Sequence, residues 1–389
     1  MLVERPSGGP PSAALLRDVF LLDKSWTFLN HGAFGSCPRP VFEAYQRLQV
    51  ELEQQPIEFL DRTLADRVQA VRDRVAQYVS CDPAGLVFVQ NTTTGINTLA
   101  RSLDLSPGDE VLVTDHEYVP CRVAMEVICA AAGASVVEVS LPYPLTDAAD
   151  VVAAFEAAAS TRTRALLVSH LASETAAILP VLEICHWARQ RNVLSIVDGA
   201  HVPGQLPLDI AAIDPDAYVG NCHKWLGAPK GSAFMWVASG WRDSVQPLVI
   251  SWGYVRGGAF VDRHGWRGTQ DPAATLAVPA AITFQARHNW PAVRARGHEY
   301  AGRFGAIITE RYGLQPAYVP GSDMHAQMIS VPIPWDDDPR ELQRRIRETY
   351  RIEVPVNGWN NRTLLRPSFA GYNDWSHAER LLHALRQLL

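Results

Sequence analysis

Between residues 86 and 237 short apolar, β-branched runs recur: LVFVQ (86–90), EVLVTD (110–115), SVVEVS (135–140), RALLVSH (164–170), LSIVDGA (194–200), DAYVGN (216–221) and SAFMWV (232–237). Helical stretches such as CRVAMEVICAAAG and PVLEICHWARQRN separate several of them. Strands alternating with helices predict an α/β chain whose large, mainly parallel, seven-stranded sheet is covered on both faces. Ahead of the sheet, LDRTLADRVQAVRDRVAQYV carries apolar positions at helical spacing and predicts a helix from about 60 to 80. Residues 1–20 read as a Pro/Gly-rich arm ending in a short helical piece. Beyond about 270 the pattern changes to helical segments (275–312, 338–349, 375–389) flanking short strands near 325–331 and 363–366. The expected organisation is an N-terminal arm (1–25), a large domain (26–269) and a smaller α+β C-terminal domain (270–389).

Composition narrows the classes. Apolar residues make up 47% of the 389, the net charge is −6, and the basic residues are scattered, which does not resemble the footprint of a nucleic-acid binder. No apolar stretch is long enough to span a bilayer, and MLVERPSGGPPSAALL lacks the basic and apolar regions of a signal peptide. Six cysteines without a C-x-x-C pair point to neither a zinc ribbon nor a redox motif, and suit a reducing cytoplasm. Of 35 basic residues only three are lysines: Lys24, Lys224 and Lys230. A GC-rich genome accounts for the bias itself. Arginine, however, cannot lose its proton at usable pH and so cannot form an imine, which turns each surviving lysine into a chemical question.

In parallel sheets ligands sit at the carboxyl ends of the strands. Five strands here end in polar residues: Asn91-Thr92-Thr93, Asp115-His116, Ser169-His170, Asp198-Gly199-Ala200-His201 and Asn221-Cys222-His223-Lys224. Asn91 to Gly95 follow a strand and open a helix, which makes either an anion site or an ordinary N-cap. Asp198 is either a cap or the partner of a cation. Lys224, at a partly buried strand end, suits imine formation. Lys230, in a Pro-Lys-Gly turn, reads as structural, and Lys24 as exposed. His116 either stacks on a flat ring or fills space; His201 bonds a ring hydroxyl or caps a helix. No ligand spacing supports a metal. Arg366, flanked by apolar residues, needs a carboxylate, internal or from a substrate.

GNCHKWLGAPKG, with DGAH upstream and RGTQD downstream, resembles the class V aminotransferase-fold enzymes that use pyridoxal 5'-phosphate (PLP), and in particular their isopenicillin N epimerase-like branch. FLNHGAFGSCPRPVFE, QNTTTGIN, VTDHEY, ILPVLEIC, VDGAHVPGQLPLDI, WRGTQD and RIEVPV fit in order, over roughly residues 26–370. The resemblance implies the aspartate-aminotransferase-like fold (PLP fold type I). It also implies that Lys224 carries the cofactor as a Schiff base, that Asp198 pairs with the pyridinium, and that His201 lies near the ring hydroxyl. Thr92, Thr93, Asn221 and His223 match phosphate-binding positions, and His116 the residue stacked on the ring. Thr269 matches a residue that reaches the phosphate of the partner subunit, so a homodimer is implied. Arg366 matches the arginine for the substrate α-carboxylate, and Asn30 and His31 lie where the N-terminal segment approaches the substrate. No cysteine follows Cys222, which argues against desulfuration by persulfide transfer, and Ser173 stands where desulfurases place an asparagine.

The implied activity is Cα chemistry on an amino acid or amino-acid conjugate through a carbanion. Its fates are epimerisation, with His116 as second proton donor and Tyr118 behind it, β-elimination from a cysteine S-conjugate, transamination, and less readily decarboxylation. Similar proteins often serve secondary metabolism. A PLP-binding regulator would need a DNA-binding domain, for which the first 20 residues are too short.

Overall fold

The computed structural model describes residues 13–255 and 257–389. The first twelve residues of the expected arm lie outside the described residues; the rest of the arm includes the helix Ala13–Val19. The strands are β1 (Thr27–Phe28), β2 (Leu86–Val89), β3 (Glu110–Thr114), β4 (Ser135–Val139), β5 (Thr163–Ser169), β6 (Leu194–Asp198), β7 (Ala217–Asn221), β8 (Ala233–Val237), β9 (Val331–Ile333), β10 (Ile352–Glu353), β11 (Val356–Trp359) and β12 (Arg362–Leu365).

The seven expected runs form one sheet in the order β2-β8-β7-β6-β5-β3-β4. Pairing is parallel from β7 to β4, while β8 runs antiparallel to both β2 and β7. Strands β2, β3, β7 and β8 are buried along their whole length, because helices cover both faces. The core accordingly splits into two apolar clusters, one containing Leu166, Val168 and Tyr218, the other Leu167, Ile196 and Val219. Alternate residues of one strand feed opposite clusters, as a period of two demands. Gly95 lets the helix Thr92–Ala100 press onto β7, since a Cβ there would stand 2.5 Å from Val219 Cγ1.

The helix expected from about 60 to 80 runs Leu64–Val79 and is preceded by a π-helical turn, Glu58–Thr63. A further helix, Arg39–Gln54, lies before it. The continuous helical segment expected over 275–312 is three helices: Ala273–Leu276, Val278–Arg287 and Trp290–Tyr312. Pro279 and Pro291 explain the breaks. Each sits in the first turn of a new helix, where a missing N–H costs nothing, and neither could continue the preceding one. The expected strand near 325–331 is displaced to β9, which forms a three-stranded antiparallel sheet in the order β11-β12-β9. β1 pairs in parallel with β10, tying residues 27–28 to the C-terminal part of the chain.

Candidate active site

A cavity of about 650 Å³ opens at the carboxyl ends of β2, β5, β6 and β7. Among the expected site residues, Thr92, Thr93, Tyr118, Asp198, His201, Asn221, His223 and Lys224 line it. Lys224 Nζ lies 3.0 Å from His201 Nε2. The Trp225 indole N–H points at His201 Nδ1 from 3.4 Å. An indole only donates, so Nδ1 accepts and the imidazole proton sits on Nε2, facing the lysine. Burial holds His201 well below its ordinary pKa, with the Lys224 charge adding to the effect. A neutral imidazole that donates to a neutral amine is the consistent pairing. Burial also brings Lys224 down to about 8, against the opposing pull of the Asp198 carboxylate.

Asp198 ends β6 and is almost wholly buried. Its Oδ1 accepts the Ala200 N–H at 2.8 Å, while among the described residues Oδ2 has only the Cys121 thiol at 3.5 Å. Burial raises its pKa, the mark of a carboxylate short of a strong partner. The Thr92 N–H donates to Asn221 Oδ1 at 2.9 Å, which joins the helix start to the end of β7. Asn91 Oδ1 caps the same helix at the Thr94 N–H. Thr92 Oγ1 is buried with no partner among the described residues, and the Thr93 amide belongs to a first turn that has no intrahelical acceptor. His223 Nδ1 faces the Ser232 carbonyl at 3.1 Å, so that nitrogen carries the proton and leaves Nε2 unprotonated.

Other expected residues are placed differently. His116 is not among the cavity's lining residues. Its Nδ1 meets Thr175 Oγ1 at 2.8 Å, and its ring meets Trp359 edge-on at 4.8 Å. Tyr118, two residues later, lines the cavity instead. The reason is local. Thr114 closes β3, the next residues turn, and the helix Val119–Ala132 starts after Tyr118, so the turn directs His116 inward and Tyr118 outward. His31 spends both nitrogens on the fold, Nδ1 on Tyr372 Oη at 3.0 Å and Nε2 on the Lys224 carbonyl at 3.1 Å. It buttresses the lysine backbone. Asn30 donates to Glu353 Oε1 at 3.3 Å and keeps a buried, unpartnered Oδ1. Arg366 is buried and donates to the carbonyl and, at 3.2 Å, the hydroxyl of Ser173, a cavity residue. Its Nε has no partner among the described residues, and Arg366 itself stands behind the cavity wall. Thr269 is exposed and outside the cavity wall of its own chain. Lys230 reaches the Gly35 carbonyl at 3.2 Å, and Lys24 is exposed in an ion pair with Asp18. Gly35 has a φ of +69°, and a Cβ there would stand 2.1 Å from the His223 carbonyl, so only glycine lets residues 31–36 close over Lys224.

The sequence profile of the aminotransferase class-V family matches residues 28–381. The chain belongs to this family. It is 36% identical to the isopenicillin N epimerase of Amycolatopsis lactamdurans, over 96% of this chain and 97% of that one. It is 30% identical to the putative L-cysteine desulfhydrase 1 of Oryza sativa subsp. japonica, over 84% and 72%. Among solved structures, the cystine C–S lyase C-DES with cysteine persulfide superposes with a TM-score of 0.79 at 22% identity, covering 93% and 97% of the two chains. A cysteine desulfurase from Escherichia coli gives 0.80 at 22%, covering 97% and 98%.

As a class V aminotransferase-family enzyme, the protein uses pyridoxal 5'-phosphate. The residues present fit that cofactor. The orphaned Thr92 hydroxyl and the Thr93 amide suit a phosphate, and the half-satisfied Asp198 carboxylate suits a protonated ring nitrogen. A phosphate dianion beside His223 would draw a proton onto Nε2, reversing the burial that now holds that imidazole at about 4.

Three cavity-side groups were not singled out from the sequence. Cys121 touches Asp198. Glu117 is buried, accepts from Thr114 Oγ1 and from the Ser169 amide and hydroxyl, and is pushed by burial to about 7. Arg267 lines the wall. Cys121 was legible in principle, lying one helical turn beyond Tyr118. Glu117 and Arg267 lie within VTDHEY and WRGTQD, segments in which only neighbouring residues were given roles.

Proposed function

We propose that the protein breaks the Cα–H bond of an amino acid or amino-acid conjugate, with epimerisation as the leading outcome. The observation that carries this reading is Lys224 Nζ set 3.0 Å from His201 Nε2 in a cavity floored by Asp198. Bound pyridoxal phosphate supplies an aldehyde for imine formation and a ring that delocalises negative charge at Cα. Lys224, neutral above about pH 8, is the imine-forming amine and, once released, the base that takes the Cα proton. Asp198 holds a proton on the ring nitrogen. Thr92, Thr93, Asn221 and His223 hold the phosphate end, and His201 donates its Nε2 proton beside the lysine. Arg366 takes the α-carboxylate at its free Nε edge, steadied by Ser173. Asn30 keeps a buried Oδ1 with no partner among the described residues, left for a substrate group.

Epimerisation needs a second proton group opposite Lys224. Two groups are candidates: Tyr118, which lines the cavity and whose pKa burial raises, so the phenol stays protonated, and His116, whose Nε2 is buried with no hydrogen-bond partner among the described residues. The 36% identity to an isopenicillin N epimerase supports this outcome. β-Elimination from a cysteine S-conjugate is the second reading, favoured by the desulfhydrase relative. The six cysteines are all free, which suits the cytoplasm, and no described helix is long and apolar enough to cross a membrane. A homodimer is supported by exposed Thr269 and by the exposed apolar run of Leu248, Val249, Ile250, Trp252 and Val255.

The test incubates the holoenzyme in deuterated water with a panel of amino acids and cysteine S-conjugates, scoring Cα deuterium, D-amino acid and pyruvate together. Deuterium at Cα is expected in recovered substrate whichever outcome prevails. Turnover without Cα–H cleavage would overturn the proposal in favour of decarboxylation.

A further inference from the structure

Arg267 lies between the helices Phe260–Gly265 and Ala273–Leu276 and lines the cavity. Its Nε is sealed from solvent with no hydrogen-bond acceptor among the described residues. None of their carboxylates comes within ion-pairing distance, and burial acts alone in lowering its pKa. Other buried arginines in or behind this wall are engaged. Arg72 spends Nε on the Leu86 carbonyl at 3.0 Å and another nitrogen on Gln69; Arg366, behind the wall, keeps an orphaned Nε but holds Ser173 through Nη1. Asp271, the closest cavity acid in sequence, is taken by Gln49 Nε2 and by the Ala273 amide, each at 2.8 Å. A guanidinium keeps its proton at any usable pH. Held partly out of water without an acceptor, it is a costly feature unless an anion from outside these residues completes it.

Its place in the sheet says which anion. The helix Phe260–Gly265 packs on β2, the edge strand, whereas Ser173 and Arg366 stand beyond the end of β5. Four strand spacings separate β2 from β5, roughly 19 Å at about 4.8 Å each. Lys224, past β7, lies between. One α-carboxylate cannot reach both arginines, so the anion at Arg267 is a different group. We propose that Arg267 is an oxyanion-binding residue of this cavity, at the opposite end from Ser173 and the Arg366 behind it. It takes either the phosphate of the cofactor or a distal carboxylate of the substrate. The proposal rests on reading the cavity as a PLP site for amino acids.

The test compares the protein with Arg267→Gln in two arms, each followed by cofactor absorbance. Apoenzyme is titrated with pyridoxal phosphate and with pyridoxal, which lacks the phosphate. Holoenzyme is titrated with γ-L-glutamylglycine and with its C-terminal amide. The parent protein should favour the phosphorylated form, the acid, or both, and Arg267→Gln should lose at least about tenfold of one preference. Loss in the first arm assigns the phosphate; loss in the second assigns the distal carboxylate. Arg267→Lys, which keeps the charge but not the fork, should retain an intermediate preference and guards against misfolding of the Gln variant. Both preferences unchanged in Arg267→Gln would overturn the proposal. If no amino acid alters the absorbance of the parent holoenzyme, the amino-acid reading fails, and the first arm still decides the phosphate.

Discussion

Lys224, Asp198, Asn221 and Thr92 stand at or just past the carboxyl ends of strands in one sheet, whereas Arg366, His31, Tyr118 and Arg267 reach the same region from segments scattered between residues 31 and 366. The first set lines the floor of the cavity; of the second, Tyr118 and Arg267 line its rim, while Arg366 and His31 stand behind it. On the floor, sheet pairing sets positions, and burial tunes charge: Lys224 is lowered and Asp198 raised. On the rim, turns and long-range hydrogen bonds decide which side chain faces the cavity, and a shift of two residues separates buried His116 from cavity-lining Tyr118. The floor explains the chemistry common to the family. The rim is where relatives named as epimerases and desulfhydrases can part company.

The sharpest way to break this division is to remove the floor's amine. Lys224→Ala should lower turnover by roughly 10³-fold or more, since imine formation and proton abstraction are lost together. Steady-state kinetics with the same substrate panel measure it. A substitution in the second set should be milder and should act on binding. Arg366→Ala is expected to cost about 2–4 kcal/mol, appearing as a rise in KM of about two orders of magnitude with the cofactor spectrum intact. Arg366→Lys should rescue poorly, because an ammonium cannot reproduce the planar fork. Unchanged kinetics in Arg366→Ala would make that arginine purely structural.

A third expectation concerns pH. Only the neutral amine forms an imine, and Lys224 is held at about 8 rather than the ordinary 10.5. The rate of cofactor uptake by apoenzyme should therefore rise about tenfold per pH unit below pH 8 and level off above it. A rise continuing to pH 10 would mean that the floor does not tune the lysine. The smallest effect separates two neighbours on the rim. His116→Ala should lower stability by about 1–2 kcal/mol, through the lost Thr175 bond and Trp359 contact, without moving the cofactor band. Tyr118→Ala should shift that band and weaken the cofactor by about 0.5–1.5 kcal/mol. Denaturant melts and absorbance titrations distinguish the two.

The same division governs what could be read without coordinates. All seven runs of the large sheet were legible, because a buried parallel strand is a nearly continuous apolar run and its polar terminator marks the cavity. Lys224 stood out because so few lysines survive in an arginine-biased chain. Less visible were the features that depend on tertiary partners. The break at Pro279 and Pro291 was written in the sequence but hidden inside a continuous helical periodicity. His116 against Tyr118 could not be resolved, since both follow the same strand and only the start of the next helix tells them apart. The family resemblance places His31 where the N-terminal segment approaches the substrate. The two bonds of His31, to Tyr372 and to the Lys224 carbonyl, span 341 and 193 residues and leave no local trace. Arg267 lies in the quoted WRGTQD segment, but that its guanidinium lacks an acceptor among the described residues depends on tertiary partners and leaves no trace in the sequence.

The central claim is that Lys224, rather than any other amine of the chain, carries the cofactor. Borohydride reduction of the holoenzyme, followed by peptide mapping, tests it directly, and only Lys24 and Lys230 compete as side-chain amines. Lys24 is exposed beside Asp18, and Lys230 is turned to the Gly35 carbonyl. Loss of the visible band is expected, with the reduced cofactor on the peptide that contains Lys224. A label confined to Lys230 would contradict it.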